Sequence, residues 1–422
     1  MTTTTHTTTD TTAGRGGRLA APVVTGIGVT APNGLGTEAW WQAVLRGESG
    51  IRPITRFNTD RYPAKLAGEV PGFDATEHIP GRLLPQTDHM TRLALTAADE
   101  ALADAGIHPD TLPDHTTGVI TAASAGGFEF GQKELQALWS KGGQYVSAYQ
   151  SFAWFYAVNT GQISIKNNLR GPSGVLVTEQ AGGLDAVAQA RRQLRKDTRL
   201  IVTGGIDSSL CPWGWAAHLA GGELTTEHHP DRAFLPFSPH ASGHVPGEGG
   251  ALLVLETADS AHERGATIYG SITGHASTFD PAPSTSTGTG GSRLQAAAEA
   301  ALRDAGLTPT DIDVVFADAA GRPTPDHEEA HTLTTLFGEH GIPVTAPKTM
   351  TGRLAAGGAS LDLAAALLTL RDQTIPPTIN TTTHHPIDLV TRTRHPQQPL
   401  RNALVLARGR GGFNAAMIVS TP

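Results

Sequence analysis

The chain has 422 residues, a formal net charge of −8 at pH 7 and 17% charged residues, with no block of like charge. That length buries a large core and accommodates two or three domains, while the mild acidity argues against a nucleic-acid partner. One cysteine, Cys211, excludes a disulfide framework and fits a reducing cytoplasm.

Residues 1–18 are Thr-rich and polar, lack the apolar core of a signal peptide, and read as a disordered tail. No apolar run is long enough to span a bilayer, so no membrane partner is expected. His228-His229 and His384-His385 are adjacent pairs in polar loops rather than ligand spacings, so they predict surface placement and no metal site. Val23 to Ala31 reads as a strand entering a Gly turn. It has two glycines of a dinucleotide fingerprint, no third, and no suitably placed acid. Leu93 to Ala105 is an Ala- and Leu-rich helix stopped by Gly106, with Pro109 beyond. It has a twin: Ala97-Ala98, Ala101-Leu102 and Asp104-Ala-Gly106 recur as Ala297-Ala298, Ala301-Leu302 and Asp304-Ala-Gly306. An apolar strand follows each, Gly118 to Ala122 and Val314 to Ala317.

Aromatics are scarce, yet Tyr145, Tyr149, Phe152, Trp154, Phe155 and Tyr156 cluster, interleaved with Gln150, Ser151 and Asn159. That mixture suits a subunit interface better than a core. Just before it, Phe128, Gly131 and Leu135 are spaced i, i+3 and i+7 and share one helix face. By itself this is an amphipathic face with Gly131 as a packing notch.

The stretch Gly171 to Ala186 organises the rest. Val175 to Val177 reads as a short buried strand, and Leu184, Val187, Ala188 and Leu194 recur at helical spacing. Gln180 therefore sits where a strand becomes a helix N-terminus. Ala181, Gly182 and Gly183 admit close approach, and the dipole end favours a developing negative charge or a thiolate. This helix also has a twin, since Leu184-Asp185 and Leu194-Arg195 recur as Leu361-Asp362 and Leu370-Arg371. The strands Leu200 to Gly205 and Ala403 to Ala407 follow. Two similar halves imply two packed α/β layers. The expected division is a tail 1–18, a half 19–262 and a half 263–422, joined near Ala258 to Ala266. Asp280 to Ser292 reads as a loop.

The Gln180 stretch resembles the nucleophile elbow of β-ketoacyl synthases, in the thiolase-like group, with Gln180 in place of the Cys. A carboxamide forms no acyl thioester. The Gln form resembles the chain-length factor, or ketosynthase β subunit, of bacterial type II polyketide synthases. The resemblance covers nearly the whole chain after the tail and implies an α/β thiolase-like fold, two βαβαβαββ halves packed as α-β-α-β-α layers. Within Phe316 to Glu329, Asp326 and Glu329 fit the family's Asp and Glu, but the first catalytic His falls at Ala320 in a loop two residues shorter. His327, at the helix start, is expected to be exposed. In Lys348 to Arg353, Lys348 and Gly352 match and Arg353 replaces the second His. An Arg shuttles no proton near neutral pH, so a structural role in a vacated pocket is expected. Arg410 stands where the gating Phe would be, and Arg408 replaces an aromatic. Gly243 to Gly250 matches a structural Gly-Glu-Gly loop. All three catalytic positions are thus replaced while the glycines that carry the fold remain.

The resemblance implies a heterodimer with a ketosynthase α subunit that supplies the Cys and both His residues. An acyl carrier protein would bring malonyl and polyketide thioesters on its phosphopantetheine arm, with no metal or cofactor bound directly. Phe128, Gly131 and Leu135 would line the polyketide tunnel and limit its length. The alternatives are a malonyl-carrier-protein decarboxylase, with the Gln180 N–H₂ bonding the enolate oxygen, and a purely structural partner. Gly131 leaves a gap in the tunnel wall, and Leu135 is smaller than an aromatic. The expected product is therefore a decaketide or longer.

Overall fold

The computed structural model describes residues 21–422 apart from 109–111, 114, 197 and 282–292. The tail 1–18, Pro109 and most of the Asp280–Ser292 stretch lie outside the described residues.

Among the described residues eleven strands form the spine of one sheet, with Gly34–Leu35 pairing to the first of them off this path: β1 (Val23–Ala31), β2 (Thr117–Ala122), β3 (Ser173–Leu176), β4 (Leu200–Asp207), β5 (Gly249–Glu256), β6 (Gly270–Phe279), β7 (Val314–Phe316), β8 (Pro343–Thr345), β9 (Asp388–Leu389), β10 (Asn402–Gly409) and β11 (Phe413–Ser420). Their order is β9-β8-β7-β10-β11-β6-β1-β5-β4-β2-β3. Outward from β1, the neighbours β5, β4, β2 and β3 join antiparallel, antiparallel, parallel and parallel. Outward from β6, the neighbours β11, β10, β7 and β8 repeat that pattern. The halves meet edge to edge through Val23 opposite Ser271 and Val24 opposite Gly270. Each half also carries a register shift one step from this join, at Thr25 in β1 and Thr273 in β6.

Seven helices position the site: α1 (His89–Asp104), α2 (Phe128–Lys141), α3 (Gly182–Gln193), α4 (Pro212–Ala220), α5 (Leu294–Ala305), α6 (Pro323–Phe337) and α7 (Ala356–Asp372). The repeated alanines of α1 and α5 now have a physical reason. A Cβ at Gly26 would lie 2.1 Å from the Ala101 carbonyl oxygen, and one at Gly274 would lie 2.3 Å from that of Ala301. Each helix lies on the bare backbone of its strand, which only Ala against Gly permits.

α7 packs on β4, β5, β10 and α3, between the halves. Fifteen of its seventeen residues are buried, so it is apolar all round rather than amphipathic. It docks at backbone distance, since a Cβ at Gly357 would meet the Gly249 carbonyl oxygen at 1.9 Å.

One expectation is corrected. The strand before Gln180 runs Ser173–Leu176 and is half-exposed, and Val177 lies beyond it with 47% of its surface exposed. Among the described residues it is an edge strand paired to β2 alone, so its outer side stays open where the sequence run suggested burial. Among the described residues no helix is long and apolar enough to cross a membrane.

Candidate functional site

Between β3 and α3 the chain makes one 3₁₀ turn, Glu179–Ala181. Gln180 sits at its centre, 8% exposed. Its carboxamide, oriented to satisfy both partners, donates to the Ala355 carbonyl (3.2 Å) and accepts from the Ala355 N–H (3.1 Å). Two strained residues flank this link. Glu179 has φ +53° and Ala355 has φ +48°, both in the region L-residues avoid, and such strain concentrates at functional sites. Gly358 and Gly183 make room: a Cβ at Gly358 would lie 2.7 Å from the Gln180 carboxamide, and one at Gly183 would lie 2.6 Å from the Ser360 nitrogen.

Gln180 lines a cavity of about 190 Å³ with Glu179, Phe128, His218, His244 and Arg410. Glu179 Oε2 accepts the N–H groups of Gln180 (2.7 Å) and Arg410 (2.9 Å). Burial raises the Glu179 carboxyl, against the pull of the Arg353 charge. Two imidazoles share the lining. His218, near the end of α4, pairs its Nε2 with Ser209 Oγ at 2.8 Å. Burial pushes it down to about 4, with the Arg410 charge adding to the effect. Burial likewise holds His244 well below the usual value, with Arg353 adding its charge. Both are neutral near pH 7. No sequence signal marks His218, and His244 hides inside the glycine loop that reads as structural. The acid of that loop, Glu248, does serve the scaffold: it accepts from Ser208 Oγ (2.6 Å), Arg56 Nη1 (2.6 Å) and the Val70 N–H (3.0 Å).

The two vacated His positions are filled, and Arg353 also borders the Gln180 cavity. Ala320 is buried and offers only a methyl group. Arg353 reaches the Asp318 carboxylate (3.0 Å) and carbonyl (2.8 Å) and the Arg408 carbonyl (3.1 Å). Arg408 donates its own N–H to Asp318 (2.8 Å). Lys348 bonds the Ala317 carbonyl (2.7 Å) and pairs with Asp362 (2.7 Å). The charges of Arg353, Arg408 and Lys348 hold the Asp318 carboxyl well below the usual range despite its burial. Glu329 accepts the N–H groups of Asp318 (2.7 Å) and Ala319 (2.9 Å), and Asp326 accepts those of Gly321 (3.0 Å) and Phe237 (2.9 Å). These two acids therefore pin the shortened loop. His327 is exposed, and its ring lies 5.6 Å from that of His385, away from the cavity lining.

The third group lies on α2. Phe128 faces the Gln180 cavity, and its ring centroid is 4.6 Å from that of Trp213. Leu135 and Trp213 line a surface groove of about 620 Å³ with Trp139 and Gln132. Phe128, Gly131 and Leu135 thus run from the cavity toward the groove. The expected gap at Gly131 is corrected: it is buried, and a Cβ there would lie 2.6 Å from Trp154 Cδ1 and 3.1 Å from Trp213 Cζ3. Two indoles occupy the space, which removes the stated ground for a decaketide or longer product. Trp154 and Trp213 come from 23 and 82 residues away in sequence, which is why α2's own spacing says nothing of them. Around them Trp139 (82%), Tyr145 (58%) and Phe155 (47%) are exposed, with Tyr149, Trp154 and Tyr156 also open to solvent.

The β-ketoacyl synthase N-terminal domain model matches residues 21–261, and the C-terminal domain model matches residues 269–382. The tetracenomycin polyketide synthase ketoacyl synthase β subunit of Streptomyces glaucescens is 58% identical over 411 residues, covering 95% of this chain and 99% of that one. Two solved structures superpose with TM-scores of 0.86. The ishigamide ketosynthase/chain length factor is 26% identical, covering 96% of this chain and 100% of that chain. A type II polyketide synthase acyl-carrier protein in complex with its ketosynthase is 24% identical over the same shares. The chain belongs to the β-ketoacyl synthase family, and within it to the ketosynthase β subunits, or chain-length factors, of type II polyketide synthases.

Proposed function

We propose that this chain is the non-condensing subunit of a heterodimer with a ketosynthase α subunit, and that it completes and bounds the polyketide tunnel. The observation that carries this reading is the alignment along α2 of a cavity and an apolar groove, with the Phe128–Trp213 contact between them. A cavity with Gln180 in place of the Cys ends at Phe128, and beyond Trp213 lies an apolar groove bordered by exposed aromatics. Such a patch is a partner surface on a folded subunit. Its aromatic-rich, charge-poor make-up matches interface cores. The α subunit supplies the Cys and both imidazoles, and an acyl carrier protein delivers malonyl and polyketide thioesters on its phosphopantetheine arm. The division into halves 19–262 and 263–422 is part of this reading. A cytoplasmic setting fits the single buried free Cys211.

The indoles over Gly131 give the reading its test. Trp213→Ala opens the boundary between cavity and groove. Co-expressed with an α subunit and a carrier protein, it shifts the released polyketide to greater mass. An unchanged mass distribution at normal yield removes length control and leaves the purely structural partner. A monodisperse monomer of the lone chain at micromolar concentration counts against the heterodimer itself.

One observation favours a second activity at Gln180. Ala355 engages the carboxamide oxygen and one of its two N–H bonds, leaving the other to donate. That donor suits the enolate oxygen formed when a malonyl thioester loses CO₂.

A further inference from the structure

Glu179 has three features that scaffolding does not require together. It is the residue before Gln180 and holds φ +53°, where Gly would be favoured. Its Oε2 is fixed by two backbone N–H groups, from Gln180 and from Arg410 on the last hairpin. Oε1 has no protein hydrogen-bond partner among the described residues, and Glu179 lines the cavity beside Gln180. This Glu is held strained at the cavity wall with one oxygen unused.

We propose that Glu179 is the proton donor that completes malonyl decarboxylation at Gln180. The proposal rests on the decarboxylation reading above and assigns a second catalytic residue to it. The C–C bond between the malonyl carboxylate and the methylene breaks, CO₂ leaves, and the electron pair remains as an enolate. The free carboxamide N–H of Gln180 bonds the enolate oxygen. Glu179 gives its carboxyl proton to the carbon, yielding an acetyl thioester, and its carboxylate then takes a proton from water. The sum is one malonyl thioester and one proton giving one acetyl thioester and CO₂.

The surroundings suit this role. Burial raises the Glu179 carboxyl, the Asp318 charge adds to the rise, and Arg353 opposes it. Arg410 bonds Glu179 through its backbone N–H, and its guanidinium charge acts on His218. The lining also holds Asp207, Glu223, Arg353, His218 and His244. His218 and His244 are held neutral by burial and have no proton to give near pH 7. Glu223 is paired with Arg322 (3.1 Å). Burial pushes Asp207 up to about 6, but both its oxygens are taken by backbone N–H groups, Oδ2 by Ser124 (2.7 Å) and Oδ1 by Ser208 (3.1 Å), whereas Glu179 keeps Oε1. Proton transfer by a positioned side chain contributes about 10²–10⁴-fold.

The experiment uses the heterodimer with an α subunit stripped of its Cys and both imidazoles, so that only this chain's site reacts. Malonyl-carrier protein is the probe, and acetyl-carrier protein is followed by intact mass from pH 5.5 to 8.5. The wild-type rate falls as pH rises and Glu179 loses its proton. Glu179→Gln keeps an acceptor for the two N–H groups, and its rate drops about 10²-fold with the high-pH decline gone and KM unchanged. Glu179→Gly, which the backbone welcomes, is equally slow and recovers with added formate. A wild-type rate in Glu179→Gln alongside a slow Gln180→Ala overturns the role of Glu179 and leaves decarboxylation standing. No effect from either substitution overturns both. A slow Glu179→Gly that formate does not restore makes Glu179 a structural residue and also overturns the proposal.

Discussion

The Cys position and the two His positions have been vacated in opposite ways. At Gln180 a cavity of about 190 Å³ remains, lined by neutral imidazoles, a strained Glu and a carboxamide with one unused N–H. Arg353 borders that cavity, and behind it, toward Ala320, the space is filled by Asp318, Arg408, Lys348 and Glu329, whose polar atoms bind one another, Arg353 and the loop backbone. Keeping one open and filling the other with matched charge separates what the subunit still uses from what it only has to keep folded.

The largest effect comes from unmatching the closed end. Arg353→Leu strips Asp318 of its shortest ion pair and leaves it buried with Arg408 and the Lys348 charge, and losing one partner of a buried pair costs about 3–5 kcal/mol. The urea midpoint of the heterodimer drops accordingly. Adding Asp318→Leu recovers much of the loss, because apolar replacement of a whole pair is often close to neutral. A single variant as stable as the wild type would show that the network holds nothing.

A smaller effect appears on titration. Burial pushes Asp326 up to about 7 from an ordinary value of 3.8. The folded state therefore holds this proton more tightly than the unfolded chain. Its contribution is full below about 3.8 and declines as pH rises through about 7. Asp326→Asn removes that slope from the stability profile. Glu248, lowered to about 2 by the positive groups and hydroxyl around it despite its burial, acts in the opposite sense and loses its contribution as pH falls below 4.5. An unchanged slope between pH 4 and 7 in Asp326→Asn assigns the titration elsewhere.

The smallest change is at the open end. Gln180→Cys gives up the two carboxamide bonds to Ala355, a loss of about 1–2 kcal/mol in denaturant. It gains no condensation by this chain, since Ala320 and Arg353 supply no imidazole. Condensation by a chain paired with a Cys-deleted α subunit would contradict the closure of the His positions.

Much of this was legible in the sequence because it is carried by local spacing. The twin helices, the Gly turns, the replaced Cys and the position of Arg353 each occupy a short window with a fixed pattern. What was not legible depends on contacts between distant segments. Nothing near Gly131 announces that Trp154 and Trp213 will fill it. Asp318 reads as an ordinary loop acid until Arg353 and Arg408 converge on it. The half-exposure of Ser173–Leu176 follows from its place at the edge of the sheet, and the same four residues in a central strand would be covered.

The placement of α7 reaches back into synthesis. The first half has all its strands once Glu256 has left the ribosome, yet the helix that covers β4 and β5 ends at Asp372. At bacterial elongation rates of about 5–20 residues per second, the intervening chain takes roughly 6–23 s to appear. Throughout that interval the nascent first half shows the ribosome exit region, and any waiting chaperone, the apolar face that α7 will later cover.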